Sequence, residues 1–494
     1  MRLYATLAAA FVAVLTAGVI AASAAPAKPV GGDAVRAPGG PVKQQAGTFG
    51  CESPTATIHC YTPATIRAAY GVDQLPEQGD GQTIVLVDSY GSPTAAQDLQ
   101  TFHDTFFPNE PNPSFEEVYQ GPHGFSHTPP SQGQSGPTAA ASWSGEATLD
   151  IEWSYAIAPH AHIVLLAVPP AETEGVQGLP NLFKAVSWAI GNYPAGTVFS
   201  MSFGITEQTF GGAAQQQAGK FDKVFQQGIA KGDTFFSSSG DDGTLGAAKQ
   251  HKQTATYPYP TVGWPASSPY VTAVGGTQLQ DGWTWDPTSD VPFLSDGSFN
   301  PAYFAATAGG DRNYVWNESW LPAATGGGPS AIYPRPSWQS GVLASQGDHR
   351  LVPDVAWNAA VNGGVLVYIS AYPAYNGPAG FYIYGGTSAA SPQVAALTAL
   401  ANERRAAEGK APIGNANPAI YASGGSWFAD VTPAIEGTAQ SGRLVNNQDW
   451  DFNGNGQPVT PDPVPGWPTL SGYDMTTGWG TPIAPAYVAG LAAS

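Results

Sequence analysis

The chain has 494 residues, and 18 Lys and Arg against 37 Asp and Glu leave a formal charge of −19. That balance excludes a nucleic-acid binder, which needs a basic face to neutralise phosphates, and it excludes docking on anionic lipid. With 42% hydrophobic residues the chain buries a large core, while 60 Gly and 45 Pro make it rich in loops.

The first elements concern export. Met1-Arg2 is positive, Leu7 to Ala22 is apolar, and Ala22-Ser23-Ala24 supplies the small residues of a cleavage site, so residues 1–24 read as a secretory signal peptide. The apolar run is short for a membrane span, and the expected product is a secreted, extracellular monomer with no membrane partner. Residues 25–50 are rich in Pro, Gly and Ala without apolar periodicity and read as a flexible leader. Cys51 and Cys60 are the only cysteines, and in an oxidising compartment they pair into a small loop.

From Tyr61 onward short apolar runs alternate with helical patterns. Strands are expected at Thr83–Val87, Ile163–Val168, Thr197–Phe203, Thr234–Ser238 and Tyr270–Val274. Helices are expected at Ala95–Phe106, Glu146–Ile157, Leu182–Ile190, Ala213–Ala230 and Ala389–Ala407. This alternation predicts an α/β fold with a mostly parallel sheet covered on both faces, whose sites lie at the carboxyl ends of strands. Only 11% of residues are charged, where about 25% is usual. So few ionisable groups imply a modest loss of stability in acid.

Common signatures are absent: there is no His-Glu-x-x-His, no phosphate-binding loop, no Cys-x-x-Cys and no Gly-x-Ser-x-Gly elbow. Three segments carry chemistry instead. Gly385-Gly386-Thr387-Ser388-Ala389-Ala390-Ser391-Pro392 puts a Ser at the start of the long helix, where N–H groups and the dipole can stabilise an oxyanion. A Ser there is equally a favoured cap. Glu146 and Asp150 stand four apart on one helical face, a repulsive pairing of roughly 0.2–0.5 kcal/mol that lets two carboxyls share a proton. A solvated acidic face has the same spacing, and Glu152 falls on another face. Ser237-Ser238-Ser239-Gly240-Asp241-Asp242-Gly243 follows an apolar run, which sets Asp241 at a strand's carboxyl end or in an ordinary turn.

Together these segments resemble the sedolisin, or serine-carboxyl peptidase, family, whose fold is similar to subtilisin. The family's Gly-Thr-Ser-x-x-x-Pro motif matches Gly386 to Pro392, its Glu-x-x-x-Asp pair Glu146 and Asp150, and its Gly-Asp-x-Gly motif Gly240 to Gly243. Trp264-Pro265-Ala266-Ser267-Ser268-Pro269, Val274-Gly275-Gly276-Thr277, Thr325-Gly326-Gly327-Gly328-Pro329-Ser330 and Val352-Pro353-Asp354-Val355 match in the family's order, and the resemblance covers about residues 61–485. It implies a subtilisin-like catalytic domain over 51–494, with a C-terminal calcium-binding loop region at about 428–482.

The implied activity is a secreted, acid-acting endopeptidase on proteins or peptides. Ser388 would be the nucleophile, Glu146 its base, Asp150 the residue orienting Glu146, and Asp241 the neutral donor to the oxyanion. A Glu base stays ionised in acid where His is protonated, and no His stands in place of Glu146; His160 and His162 belong to a helix-to-strand junction. The substrate would lie extended between Ser202-Phe203-Gly204 and Gly326-Gly327-Gly328, adding a strand. The alternative is a catalytically inactive secreted binding protein on the same fold, whose mark would be loss of a catalytic residue.

The resemblance also implies one Ca²⁺, held by Asp430, the carbonyl of Val431, the carbonyls of Leu470 and Gly472, and Asp474, an all-oxygen set. Asp449-Trp450-Asp451-Phe452-Asn453-Gly454-Asn455-Gly456 reads as an Asx-rich turn, because Thr460 stands where a calcium loop would carry Glu. Residues 25–60 are too short a stretch for the folded prosegment of the family's precursors. Asn317-Glu318-Ser319 is a glycosylation acceptor in a host that modifies secreted proteins.

Overall fold

A computed structural model describes residues 34–494 except 46, 122, 130–135, 170–171, 247–255, 290, 319, 322, 434–444, 453–457 and 462–463. The expected signal peptide, residues 1–24, lies outside the described residues. In chain order the elements that position the site begin with β1 (Val35–Arg36), β2 (Cys60–Tyr61), β3 (Thr83–Ser89), α1 (Ala95–Phe106), β4 (Ser114–Gly121), β5 (Gly124–Ser126), α2 (Gly136–Ile157) and β6 (His162–Val168). They continue with α3 (Leu179–Asn192), β7 (Val198–Met201), α4 (Ala214–Lys231), β8 (Thr234–Ser238), β9 (Thr272–Trp285) and β10 (Ala306–Val315). The last are β11 (Gly328–Pro334), β12 (Val355–Asn358), β13 (Gly364–Ile369), β14 (Gly380–Gly385) and α5 (Thr387–Ala407).

A nine-stranded sheet runs β10-β9-β8-β7-β3-β6-β4-β5, with β12 beside β9. Its interior pairings are parallel and only β9–β10 and β4–β5 are antiparallel. β3 shows why. Every residue from Thr83 to Ser89 is buried, as in a strand covered on both faces. Ile84 and Leu86 join the core built with Leu149, Trp153 and Val394, while Val85 and Val87 point the other way, into the core built with Leu182, Val186 and Phe225. The expected α/β architecture with helices on both faces is therefore the one found. Among the described residues no helix is long and apolar enough to cross a membrane.

Helix α5 lies inside this body: every residue from Thr387 to Asn402 is buried. An apolar or small residue at nearly every position suits a helix surrounded by protein rather than one with a wet face. Helix α2 begins ten residues earlier than its acidic pair suggested, and β9 runs on to Trp285, where a bulge between Asp281 and Trp283 lets it pair with β10.

A second, four-stranded sheet has the order β1-β14-β13-β2. Its presence corrects the expectation of a flexible leader over 25–50 for the part described. Ala34, Val35 and Ala37 are buried, β1 pairs antiparallel with β14, and Gln44–Gln45 pairs with Thr48–Phe49. A two-residue strand leaves no periodicity to read, and its partner lies about 350 residues away in sequence. The Cys51–Cys60 disulfide is formed as expected. Asn317 is only 1% exposed and its amide donates to the carbonyls of Asn446 and Gln448, so the folded chain presents no glycan acceptor there.

Candidate active site

The site is assembled from the β14–α5 junction, the end of β8, and the middle of α2 with the end of β3. β14 ends at Gly385, where a Cβ would lie 2.4 Å from the Ala359 carbonyl oxygen, and Gly386 takes φ 102°, a left-handed conformation natural only to glycine. These two residues turn the chain from strand into helix and make Ser388 the second residue of α5. The Ser388 hydroxyl is buried and has no hydrogen-bond partner among the described residues. Pro392, four residues on, has no N–H to offer the Ser388 carbonyl.

β8 supplies the second part. Its run Thr-Phe-Phe-Ser-Ser ends at Ser238, and Gly240, at φ 107°, bends the chain so that Asp241 meets the start of α5. The N–H and the hydroxyl of Thr387 both donate to Asp241 Oδ1, at 2.7 and 2.8 Å, and the Gly240 N–H donates to the same hydroxyl at 3.1 Å. A carboxylate at a helix N-terminus is a favoured partner of its unpaired N–H groups.

The third part is α2. Glu146 and Asp150 lie one turn apart, 1% and 0% exposed, and with Asp88 at the end of β3 their oxygens lie within 4.8 Å of one another. Burial, then the nearby charge of Asp88, holds the Asp150 carboxyl well above the usual range, with the Ser202 hydroxyl opposing. Burial pushes Asp88 up to about 8. Glu146 Oε2 accepts the main-chain N–H of Ala34 at 2.6 Å. Glu152 stays apart, as its helical face predicts, and accepts the Tyr368 N–H at 2.9 Å.

The strand expected at Thr83–Val87 extends to Ser89 and so takes in Asp88. Its signal was its place, a lone acid at the carboxyl end of a buried parallel strand, where sites are built. His160 and His162 stand at the opposite end of β6, where they bond Asp80, Glu110 and Glu116.

The other expected site residues are more dispersed. Ser202 is buried beside Asp150 and Phe203 is 1% exposed, while Gly204 packs towards the Trp264 carbonyl. Gly326 donates its N–H to the Gly240 carbonyl at 2.7 Å and accepts the Ser239 hydroxyl at 2.8 Å, which ties this loop to the Asp241 turn. Gly327 and Gly328 press on Met475 and Trp467, where any side chain would collide.

At the C-terminal loop the two aspartates meet one turn. Asp430 accepts the Gly472 N–H and Asp474 the Leu470 N–H, both at 2.9 Å, and Asp474 also caps Thr476 and Thr477. Val431 is buried next to them. Of the acidic stretch 449–456, Trp450–Phe452 pairs with Pro458–Pro461 as a hairpin, and its tip lies outside the described residues.

The chain matches the model of the Subtilase family over residues 138–447. It is 29% identical to kumamolisin of Bacillus sp. (strain MN-32) over 430 residues, 84% of this chain and 65% of that protein. It is 30% identical to sedolisin of Pseudomonas sp. (strain 101) over 318 residues, 62% of this chain and 43% of that one. Homo sapiens tripeptidyl-peptidase 1 is 28% identical over 305 residues, 58% and 42% of the two chains. The chain thus spans less than two thirds of the length of these curated relatives. Among solved structures, Pseudomonas sedolisin, a serine-carboxyl proteinase complexed with two molecules of pseudo-iodotyrostatin, shares the fold with a TM-score of 0.60. That match covers 88% of this chain and 98% of the other, at 24% identity. The chain belongs to the subtilase family, and these relatives support the resemblance of its motifs to the sedolisin, or serine-carboxyl peptidase, family.

Proposed function

We propose that this chain is a secreted serine peptidase that hydrolyses peptide bonds of proteins in acid, acting as an endopeptidase. The observation that carries the reading is the Ala34–Glu146 hydrogen bond. An extended segment paired to β14, the strand that leads into Ser388, places its main-chain nitrogen on the Glu146 carboxylate at 2.6 Å. A base that hands the serine proton to a leaving amine must stand at such a nitrogen.

In this mechanism Ser388 attacks the carbonyl carbon and Glu146 takes its proton. The C–O⁻ that forms faces the start of α5 and Asp241, which in acid is neutral and donates a hydrogen bond through Oδ2, since Oδ1 already receives both Thr387 donors. Glu146 then protonates the leaving nitrogen, and water, activated by the same Glu146, releases the acyl group from Ser388. Asp150 orients Glu146. Burial keeps Asp88 and Asp150 neutral in acid, so the single negative charge of the cluster can rest on Glu146. Substrate lies along Ser202-Phe203-Gly204 and Gly326-Gly327-Gly328 on the acyl side.

For calcium the residues fit. Asp430 and Asp474 reach one turn from two sides and the remaining donors are the carbonyls of Val431, Leu470 and Gly472, hard oxygens throughout. A bound Ca²⁺ would cross-link that turn to the segment after Ala429.

Hydrolysis of a denatured protein between pH 2 and 8 tests the reading, with Ser388→Ala beside the parent chain. Activity in acid that disappears in the variant is expected. Activity that survives Ser388→Ala overturns the assignment of the nucleophile.

A further inference from the structure

β14 has β13 on one edge, and its other edge is covered by the N-terminal segment of the same chain. Val35 lies opposite Gly385 and Arg36 opposite Tyr384; the Ala37 N–H donates to the Ile383 carbonyl at 2.9 Å and the Val42 N–H to the Phe381 carbonyl at 2.7 Å. Traced from Val42 back to Ala34, the segment advances along β14 towards Ser388 and ends with its nitrogen on Glu146. Without it this strand edge would be bare, a template for any extended peptide.

The side chains are seated as well. Ala34, Val35 and Ala37 are buried. The Arg36 guanidinium stands 4.6 Å over the Tyr382 ring, donates to the Asn376 carbonyl at 2.9 Å and lies beside the Tyr384 phenol. Asn376 is itself held in place, its amide donating to the carbonyls of Ala141 and Ala371. An aromatic face, a carbonyl and a phenol around one guanidinium form a preorganised receptor for a cation.

We propose that the β14 edge, ending at Glu146, is the binding site for the leaving-group side of an extended peptide, that it selects a cationic side chain at the third residue beyond the cut, and that Ala34–Ala37 is its resident occupant. The numbering of positions from the cut rests on Glu146 being the base. The resident segment competes with substrates for this side of the site, and loosening it opens the edge.

The test is a binding measurement that needs no turnover. The full chain carrying Ser388→Ala and Arg36→Glu is titrated into a fluorescent peptide Ala-Val-Arg-Ala-Pro-Gly-Gly, the sequence of residues 34–40, and into the same peptide with Glu in place of Arg. The arginine peptide is expected to bind at least tenfold more tightly than the glutamate peptide, and more tightly than to the chain that retains Arg36. A second variant, Ala37→Pro, frees the edge by removing the N–H to Ile383. Equal affinity for the two peptides, or no binding to either variant, overturns the proposal. Selective binding together with a parent chain that cuts no protein leaves this site standing and removes the peptidase reading instead.

Discussion

Thr387 clamps Asp241 twice, with its main-chain N–H at 2.7 Å and its hydroxyl at 2.8 Å on the same oxygen. Because Thr387 precedes Ser388, one short link fixes the acid to the nucleophile. Asp241→Ala should lower kcat by about 10²–10³, the scale of a lost oxyanion donor, and remove a helix cap worth about 1 kcal/mol. Asp241→Asn can keep the acceptor on Thr387 and offers an N–H that needs no acid to stay protonated. Its activity should therefore extend to higher pH than that of the parent. A pH–rate profile of the two variants decides the matter, and an Asn variant as inactive as Ala at every pH would exclude the donor role.

Glu146→Gln is a nearly isosteric change whose side-chain oxygen can still accept the Ala34 N–H. The melt should stay close to that of the parent while kcat falls by roughly 10²–10⁴, the usual contribution of a general base. Wild-type turnover in this variant would place the base elsewhere.

What was readable in the sequence follows from range. Glu146 and Asp150 declared themselves through one helical turn, and Asp241 through a Gly-Asp turn after an apolar strand, all local patterns. Asp88 did not, since in Thr83-Ile84-Val85-Leu86-Val87-Asp88-Ser89 the acid reads as the place where the strand stops, yet it is 0% exposed and faces α2. The N-terminal segment is illegible locally for a stronger reason. Ala34, Val35 and Arg36 have neither periodicity nor bulk, and they are ordered only because β14 and Glu146 offer partners that no window of nearby sequence contains.

The C-terminal turn gives a prediction separable from catalysis. Stripping divalent cations on a chelating resin should lower the melting temperature by several degrees, and added Ca²⁺ should restore it; a ligand at 100 times its Kd stabilises by about 2.7 kcal/mol. Asp430 is exposed, so Asp430→Asn should abolish the response without disturbing the core. An unchanged melt after stripping and after re-addition counts against the site.

Where composition implies a modest loss of stability in acid, the buried carboxyls predict a contribution of the opposite sign, and Asp88 isolates it. Burial raises Asp222 and Asp233 to about 6, Glu117 to about 7 and Asp88 to about 8. Each such group binds its proton more tightly in the folded chain than in the unfolded one, where the value is about 3.9–4.3. Its contribution is therefore complete below about pH 4 and is lost as the pH climbs to the folded value, at about 1.4 kcal/mol per pH unit per group. Between pH 6 and 8 the two lowest groups complete the second half of their titration, while Asp88 is still losing its proton at the upper end. Asp88→Asn removes that proton release. The parent should thus lose stability relative to the variant as the pH rises from 6 to 8, although both share every other group. Urea unfolding of both chains at the two pH values measures the difference directly, and parallel losses in the two would mean that Asp88 is ionised in the folded protein well below pH 6.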